Sequence, residues 1–125
     1  MIVVDTDILI WILRGNKDIL KKFIALAKET KGNLYLTPVQ VAEIYSGIRE
    51  KEIEKTALFL KNLLLLVIDY KIGKTTGDYM SKYKKSHNVT LADALTASCA
   101  KNNNFKIWTL NKKHYPMFTE KEFVI

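Results

Sequence analysis

Four carboxylates in this chain stand where a carboxylate needs a reason. Asp5 directly follows the apolar run Ile2-Val3-Val4, and Asp7 comes two residues later, across Thr6. Glu43 is set among Val39, Val41, Ala42 and Ile44, and Asp93 lies in Leu91-Ala92-Asp93-Ala94, just behind Thr90. An ionised carboxylate beside buried apolar chain is costly unless it is paired or bound to a metal. Acids gathered without a counter-charge repel one another. Hard divalent cations resolve that repulsion with oxygen ligands, and Mg²⁺ is typically held by one or two carboxylates plus water and substrate phosphate. No competing chemistry is spelled out. His87, Cys99 and His114 are scattered, without zinc spacing. Neither a phosphate-cradling glycine loop nor a Gly-x-Ser-x-Gly elbow occurs.

Each acid also has a plain structural role open to it. Asp5 or Asp7 could cap the helix expected from Ile8, but two acids where one cap suffices point to more than capping. Asp93 could close a capping box with Thr90. It also heads a helical face of Thr96, Ala97 and Ala100, small residues that let a helix lie close to a sheet. Glu43 could be an ordinary surface glutamate. Gly47, one turn on, leaves room beside it for another chain segment or a ligand.

The elements that must bring these acids together alternate in type. Ile2–Val4 reads as a buried strand, and Ile8–Leu13 as two turns of helix. Residues 18–30 form an amphipathic helix that Gly32 is expected to close at C′. Leu34–Leu36 is a second strand. Thr37-Pro38 then opens a helix with a capping residue followed by proline in the first turn. Residues 53–64 continue as a further helix, Leu65–Ile68 as a third strand, and 71–85 as a helix. Thr90 opens the next helix, and Lys106–Leu110 is the fourth strand. Phe123–Ile125 is expected as a fifth, edge strand. The pattern is α/β: one domain over 1–125, with a central, mainly parallel sheet of four to five strands flanked by helices in three layers. Such connections put all strand C-termini on one edge, where open sheets build their sites.

Composition narrows the partners. The chain has 125 residues, 26% charged, with a formal net charge of +7. Residues 1–70 are nearly balanced, whereas 71–125 carry ten lysines against four acids. A basic half suggests a polyanion, against the plainer reading of a lysine-rich solvated surface. One cysteine precludes an internal disulfide, so a reducing cytoplasm is the expected compartment. The run from Leu58 to Ile68 is too short to span a membrane.

The segments Ile-Val-Val-Asp-Thr-Asp, Thr-Pro-Val-Gln-Val-Ala-Glu-Ile, Leu-Ala-Asp-Ala-Leu-Thr-Ala-Ser and Trp-Thr-Leu-Asn-Lys-Lys-His-Tyr, in that order, resemble a PIN-domain ribonuclease. More narrowly, they resemble the small VapC-type toxins of prokaryotic toxin–antitoxin pairs. The resemblance covers essentially the whole chain. It implies Mg²⁺- or Mn²⁺-dependent cleavage of RNA, a cognate antitoxin and a homodimer. Asp5, Glu43 and Asp93 match the family's acidic positions as catalytic residues and metal ligands, with Thr6, Asp7, Thr109 and Asn111 in support. Two departures stand out. Asp7 occupies a position where the family often has asparagine, and His114 stands where a fourth acid is common. Asp7 is accordingly expected to be a cap or a substitute for that acid. RNA holding falls to Lys84, Lys85, Lys112, Lys113 and His114, with Tyr83, Trp108 and Tyr115 as aromatics that could stack bases, although Trp108 alternates with apolar residues as a core side chain would.

Two rival readings differ in class. A receiver-type phosphoacceptor would use Asp5 and Asp7 for Mg²⁺ and phosphorylate Asp69, but it leaves Glu43 and Asp93 idle and needs a strand between residues 71 and 106. A catalytically inactive PIN-fold binding module is the other, suggested by His114 alone.

Overall fold

The computed structural model describes residues 1–125. Its centre is a four-stranded parallel sheet of β1 (Ile2–Val4), β2 (Leu34–Leu36), β3 (Leu64–Leu65) and β4 (Lys106–Trp108), in the spatial order β3-β2-β1-β4. The N-terminal strand is therefore interior. Val3 pairs with Tyr35 on one side and Ile107 on the other. Alternation along each strand divides the core in two. Ile2, Val4, Leu34, Leu36 and Trp108 face one layer, packing on Ile8, Leu9, Ile12, Phe23 and Ile44. Val3 and Ile107 face the other, packing on Ile72, Ala97, Cys99, Ala100 and Tyr115.

The first layer holds α1 (Thr6–Leu13), α2 (Lys17–Glu29), α3 (Pro38–Gly47) and α4 (Ile53–Leu60), and the second holds α5 (Tyr70–His87) and α6 (Leu91–Asn102). The sandwich is the three-layer α/β architecture that the alternating elements imply. The small face of α6 is fully used: Thr96, Ala97 and Ala100 are buried, so the helix sits directly on the sheet. No helix is long and apolar enough to cross a membrane.

Helix ends shift by one or two residues in several places, and four further departures from the sequence reading have a physical cause. The third strand begins at Leu64, not Leu65, and lasts two residues, so α4 ends at Leu60 rather than 64. Leu63 and Leu66 turn into opposite cores while Leu64 and Leu65 stay exposed. An unbroken apolar run carries no alternation to mark that division. The fourth strand stops at Trp108 because the Leu110 N–H goes to the Asp7 carboxylate (2.9 Å) instead of a ladder. The fifth strand reduces to one parallel bridge, Ile107 to Phe123. At the end of α2 it is Lys31, at φ 56°, that takes C′, with Gly32 following at φ 83°. The bonds Lys31 N–H to Lys28 C=O and Gly32 N–H to Ala27 C=O make this a Schellman cap.

Thr37 does more than start α3. It is fully buried, its Oγ1 accepts the Val39 N–H (3.0 Å) and donates to Gln40 Oε1 (2.7 Å). Gln40 Nε2 donates in turn to Thr96 Oγ1 (2.8 Å), so a buried polar chain ties α3 to α6 across the sheet edge. Thr37→Ala removes the cap and leaves Gln40 short of a donor. Stability should fall by about 2 kcal/mol, read as a lower urea midpoint at unchanged m-value.

Candidate active site

Every strand points its C-terminus to one edge, and the acids gather there. Asp5 leaves β1 in extended conformation (φ −74°, ψ 160°) and caps α1, its Oδ1 accepting the Thr6 N–H at 2.8 Å. Its Oδ2 accepts two hydroxyls, from Thr109 at 2.9 Å and from Tyr115 at 2.8 Å. Three of the carboxylate's four lone-pair positions are thus filled from within the protein, and the fourth, on Oδ1, is free. Burial pushes the Asp5 carboxyl up to about 6, and the neighbouring Asp7 charge adds to the rise; the Tyr115, Thr6 and Thr109 donors pull it back.

Asp7 corrects an expectation. The cap of α1 is Asp5, not Asp7. The Asp7 Oδ1 accepts the Ile8 N–H (2.7 Å), and its Oδ2 gathers the Leu110 N–H (2.9 Å), Asn111 Nδ2 (3.1 Å) and the Thr109 hydroxyl (3.3 Å). It is the clamp that fixes the segment after β4 against α1. Thr109 and Asn111 are drawn in as expected, and Asn111 N–H also bonds the Thr109 hydroxyl at 3.1 Å.

The other two acids border this pair. Glu43 is exposed on α3, and its Oε1 accepts the Thr6 hydroxyl at 2.6 Å. Asp93 does form the capping box with Thr90: its N–H reaches Thr90 Oγ1 (3.1 Å), and its Oδ2 accepts the Thr90 N–H (3.4 Å). That same Oδ2 lies 3.9 Å from Nδ1 of His114. Burial above all, and then the charges of Asp5, Asp93 and Asp7, lift the Tyr115 phenol far above its ordinary value. As arranged, no three acids or histidines stand close enough to grip one ion. The donor chemistry still suits a hard cation: three further acids beside the buried Asp5, and no lysine or arginine ion-paired to Asp5, Asp7, Glu43 or Asp93.

The basic residues divide. Lys84 and Lys85 are exposed at the end of α5, close in sequence to the α6 turn that carries Asp93. Lys113 and His114 are exposed in a single helical turn, Lys112–His114. Lys112 turns away from the acids, reaching Glu120 (3.4 Å) and lying 5.2 Å over the Phe123 ring. Trp108 is core, and so is Tyr115, at 1% exposure, which removes it as a base-stacking surface. Its bond to Asp5 is the contact that sequence reasoning missed. No local signal could have found it, because its partner lies 110 residues away and the β1–β4 adjacency is not written in the alternation of elements. Next to Glu43 opens a groove of about 570 Å³, floored by Ile10, Leu13, Ile44 and Ile48 and edged by Arg14 and Arg49.

Fold and site together define a parallel α/β domain with an acidic site at the carboxyl edge of its sheet. The chain belongs to the PIN domain family, whose model matches residues 2–117. It is 33% identical over 121 residues to Ribonuclease VapC10 of Mycobacterium tuberculosis, covering 96% of this chain and 90% of that protein. Two solved structures share the fold at 17% identity. One is a toxin–antitoxin complex from Klebsiella pneumoniae (TM-score 0.82, covering 100% of this chain and 97% of that one). The other is VapBC2 from Rickettsia felis bound to a DNA fragment from their promoter (TM-score 0.78, 99% and 96%). The receiver reading is overturned on the same grounds. Residues 71–106 supply two helices and no strand before β4, and Asp69 is the cap of α5, its Oδ1 accepting the Ile72 N–H at 3.0 Å.

Proposed function

We propose that this protein is a metal-dependent endoribonuclease and the toxin of a toxin–antitoxin pair. The observation that carries the reading is the Asp5 carboxylate: half-buried, held by three donors, raised to about 6 and flanked by acids, in a PIN domain similar over nearly its whole length to a ribonuclease. Asp5 and Asp93 would hold the cation, Mg²⁺ or Mn²⁺, with Glu43 reaching it directly or through a water and acting chiefly as the proton acceptor. When bound, such a cation neutralises phosphate charge and lowers the pKa of water.

The chain's own residues do the rest. Glu43 is the exposed carboxylate of the set and the one placed to accept a proton from an attacking water. The Thr6 hydroxyl holds it from one side. Asn111, exposed beside Asp7, is available to a phosphate oxygen, whereas the buried Thr109 spends its hydroxyl on Asp5 and Asp7. Lys84, Lys85 and Lys113 hold the RNA backbone by charge, and binding should weaken steeply with salt. In-line hydrolysis leaves a 5′-phosphate and a 3′-hydroxyl. The groove beside Glu43, with its aliphatic floor and two arginines free of ion pairs, suits a segment of the antitoxin carrying apolar and acidic side chains. Trp11 and, on α4, Ile53 and Leu58 are exposed apolar residues available for a homodimer.

The test is cleavage of a labelled single-stranded RNA by purified protein at neutral pH. Addition of Mn²⁺ or Mg²⁺ should produce fragments with 5′-phosphate ends, and excess chelator should stop the reaction. No cleavage with either ion, alongside retained RNA binding, would favour the inactive binding module.

A further inference from the structure

We propose that Tyr115 is a positioning residue, holding the Asp5 carboxylate in the orientation that receives the cation; this rests on the reading of Asp5 as a metal ligand. The ring belongs to the core. It is 1% exposed and stands edge-on to Phe118, with centroids 5.9 Å apart at 65°. Only the hydroxyl leaves that core, and it donates to Asp5 Oδ2 at 2.8 Å across 110 residues of sequence.

For packing alone a phenylalanine would serve as well. The added hydroxyl is buried polar surface that must find a partner, and the partner here is the most buried carboxylate of the site. A phenol has a single O–H to donate, and here it is spent on Asp5 Oδ2. With the Thr109 hydroxyl on the same oxygen and the Thr6 N–H on the other, the carboxylate cannot rotate without losing a bond. Its free lone-pair position then faces one direction only. Groups that orient a metal ligand from behind in this way typically alter metal affinity about 10–100-fold when removed.

Tyr115→Phe keeps the ring and removes one oxygen atom. Mn²⁺ affinity, measured by calorimetry on the intact chain, should fall about 10-fold or more. Phe118→Leu disturbs the same core without touching the hydroxyl and should lower the melting temperature while leaving Mn²⁺ affinity within about 2-fold of wild type. Unchanged or tighter Mn²⁺ binding in Tyr115→Phe overturns the proposal, as does an equal loss in Phe118→Leu, which would trace the effect to packing. Should the wild type itself bind no Mn²⁺, the cation site falls, and Tyr115's role with it. That result differs from a wild type that binds beside an unaffected Tyr115→Phe.

Discussion

Asp5→Asn should abolish RNA cleavage, by about 10³-fold or more, and should make the metal-free protein more stable. The two effects share a cause. The Asp5 carboxyl sits at about 6 in the fold against an ordinary 3.8, so the native state holds this proton more tightly than the unfolded chain. Asp5's contribution to wild-type stability is therefore fully present below pH ~4, declines as pH rises from about 4 to 6, and is lost above, a loss of at most about 3 kcal/mol. Asparagine carries no such charge, and the Thr109 and Tyr115 hydroxyls can accept from its amide as readily as donate. The variant should show a flat stability profile across that window and a higher urea midpoint at pH 7. Mn²⁺ should close that gap, and reverse the ranking once it reaches about a thousand times its dissociation constant, where the gain is about 4.1 kcal/mol. At a hundred times its dissociation constant a ligand adds about 2.7 kcal/mol to the state that binds it, and only the wild type receives this. An Asn variant no more stable than wild type at pH 7 would show that ionised Asp5 is already compensated without a cation.

Glu43→Gln should separate proton transfer from metal holding. Glu43 is exposed and touches the rest of the site through a single hydroxyl bond, from Thr6. The amide keeps that acceptor and the side-chain shape. The turnover number should drop about 10²–10⁴-fold, with Mn²⁺ affinity within a few-fold of wild type and stability unchanged. A loss of Mn²⁺ binding as deep as that of Asp5→Asn would make Glu43 a ligand first. Steady-state kinetics and calorimetry on the same samples decide between the two roles.

What could be read from the chain follows from how local each signal is. Thr37-Pro38 and the Thr90–Asp93 box are complete within four residues, and both start helices where expected. The parallel sheet follows from the alternation of element types. The run Leu63–Ile68 defeated reading because six apolar residues in a row mark neither face nor end. Tyr115 was harder still. Its role depends on a partner 110 residues away, and nothing in the type or spacing of an aromatic after a strand says that its hydroxyl will find an acid. Asp7 misled for a related reason: capping potential is legible, but the choice between two candidate caps is made by Leu110 and Asn111, at the other end of the chain.

The interior position of β1 bears on synthesis. Strand β1 takes an interior place in the sheet, and its neighbour β4 is synthesised about a hundred residues after it. The contacts that hold Asp5, from Thr109 and Tyr115, span 104 and 110 residues. At about 5–20 residues translated per second, Asp5 waits roughly 5–20 s for the residues that orient it. A nascent chain therefore carries every upstream acid without an assembled site until Thr109 and Tyr115 have been made and β4 has paired with β1. Truncation before β4 removes a neighbour of β1 together with two of the three donors to Asp5, so a stop upstream of Lys106 should leave no RNA cleavage.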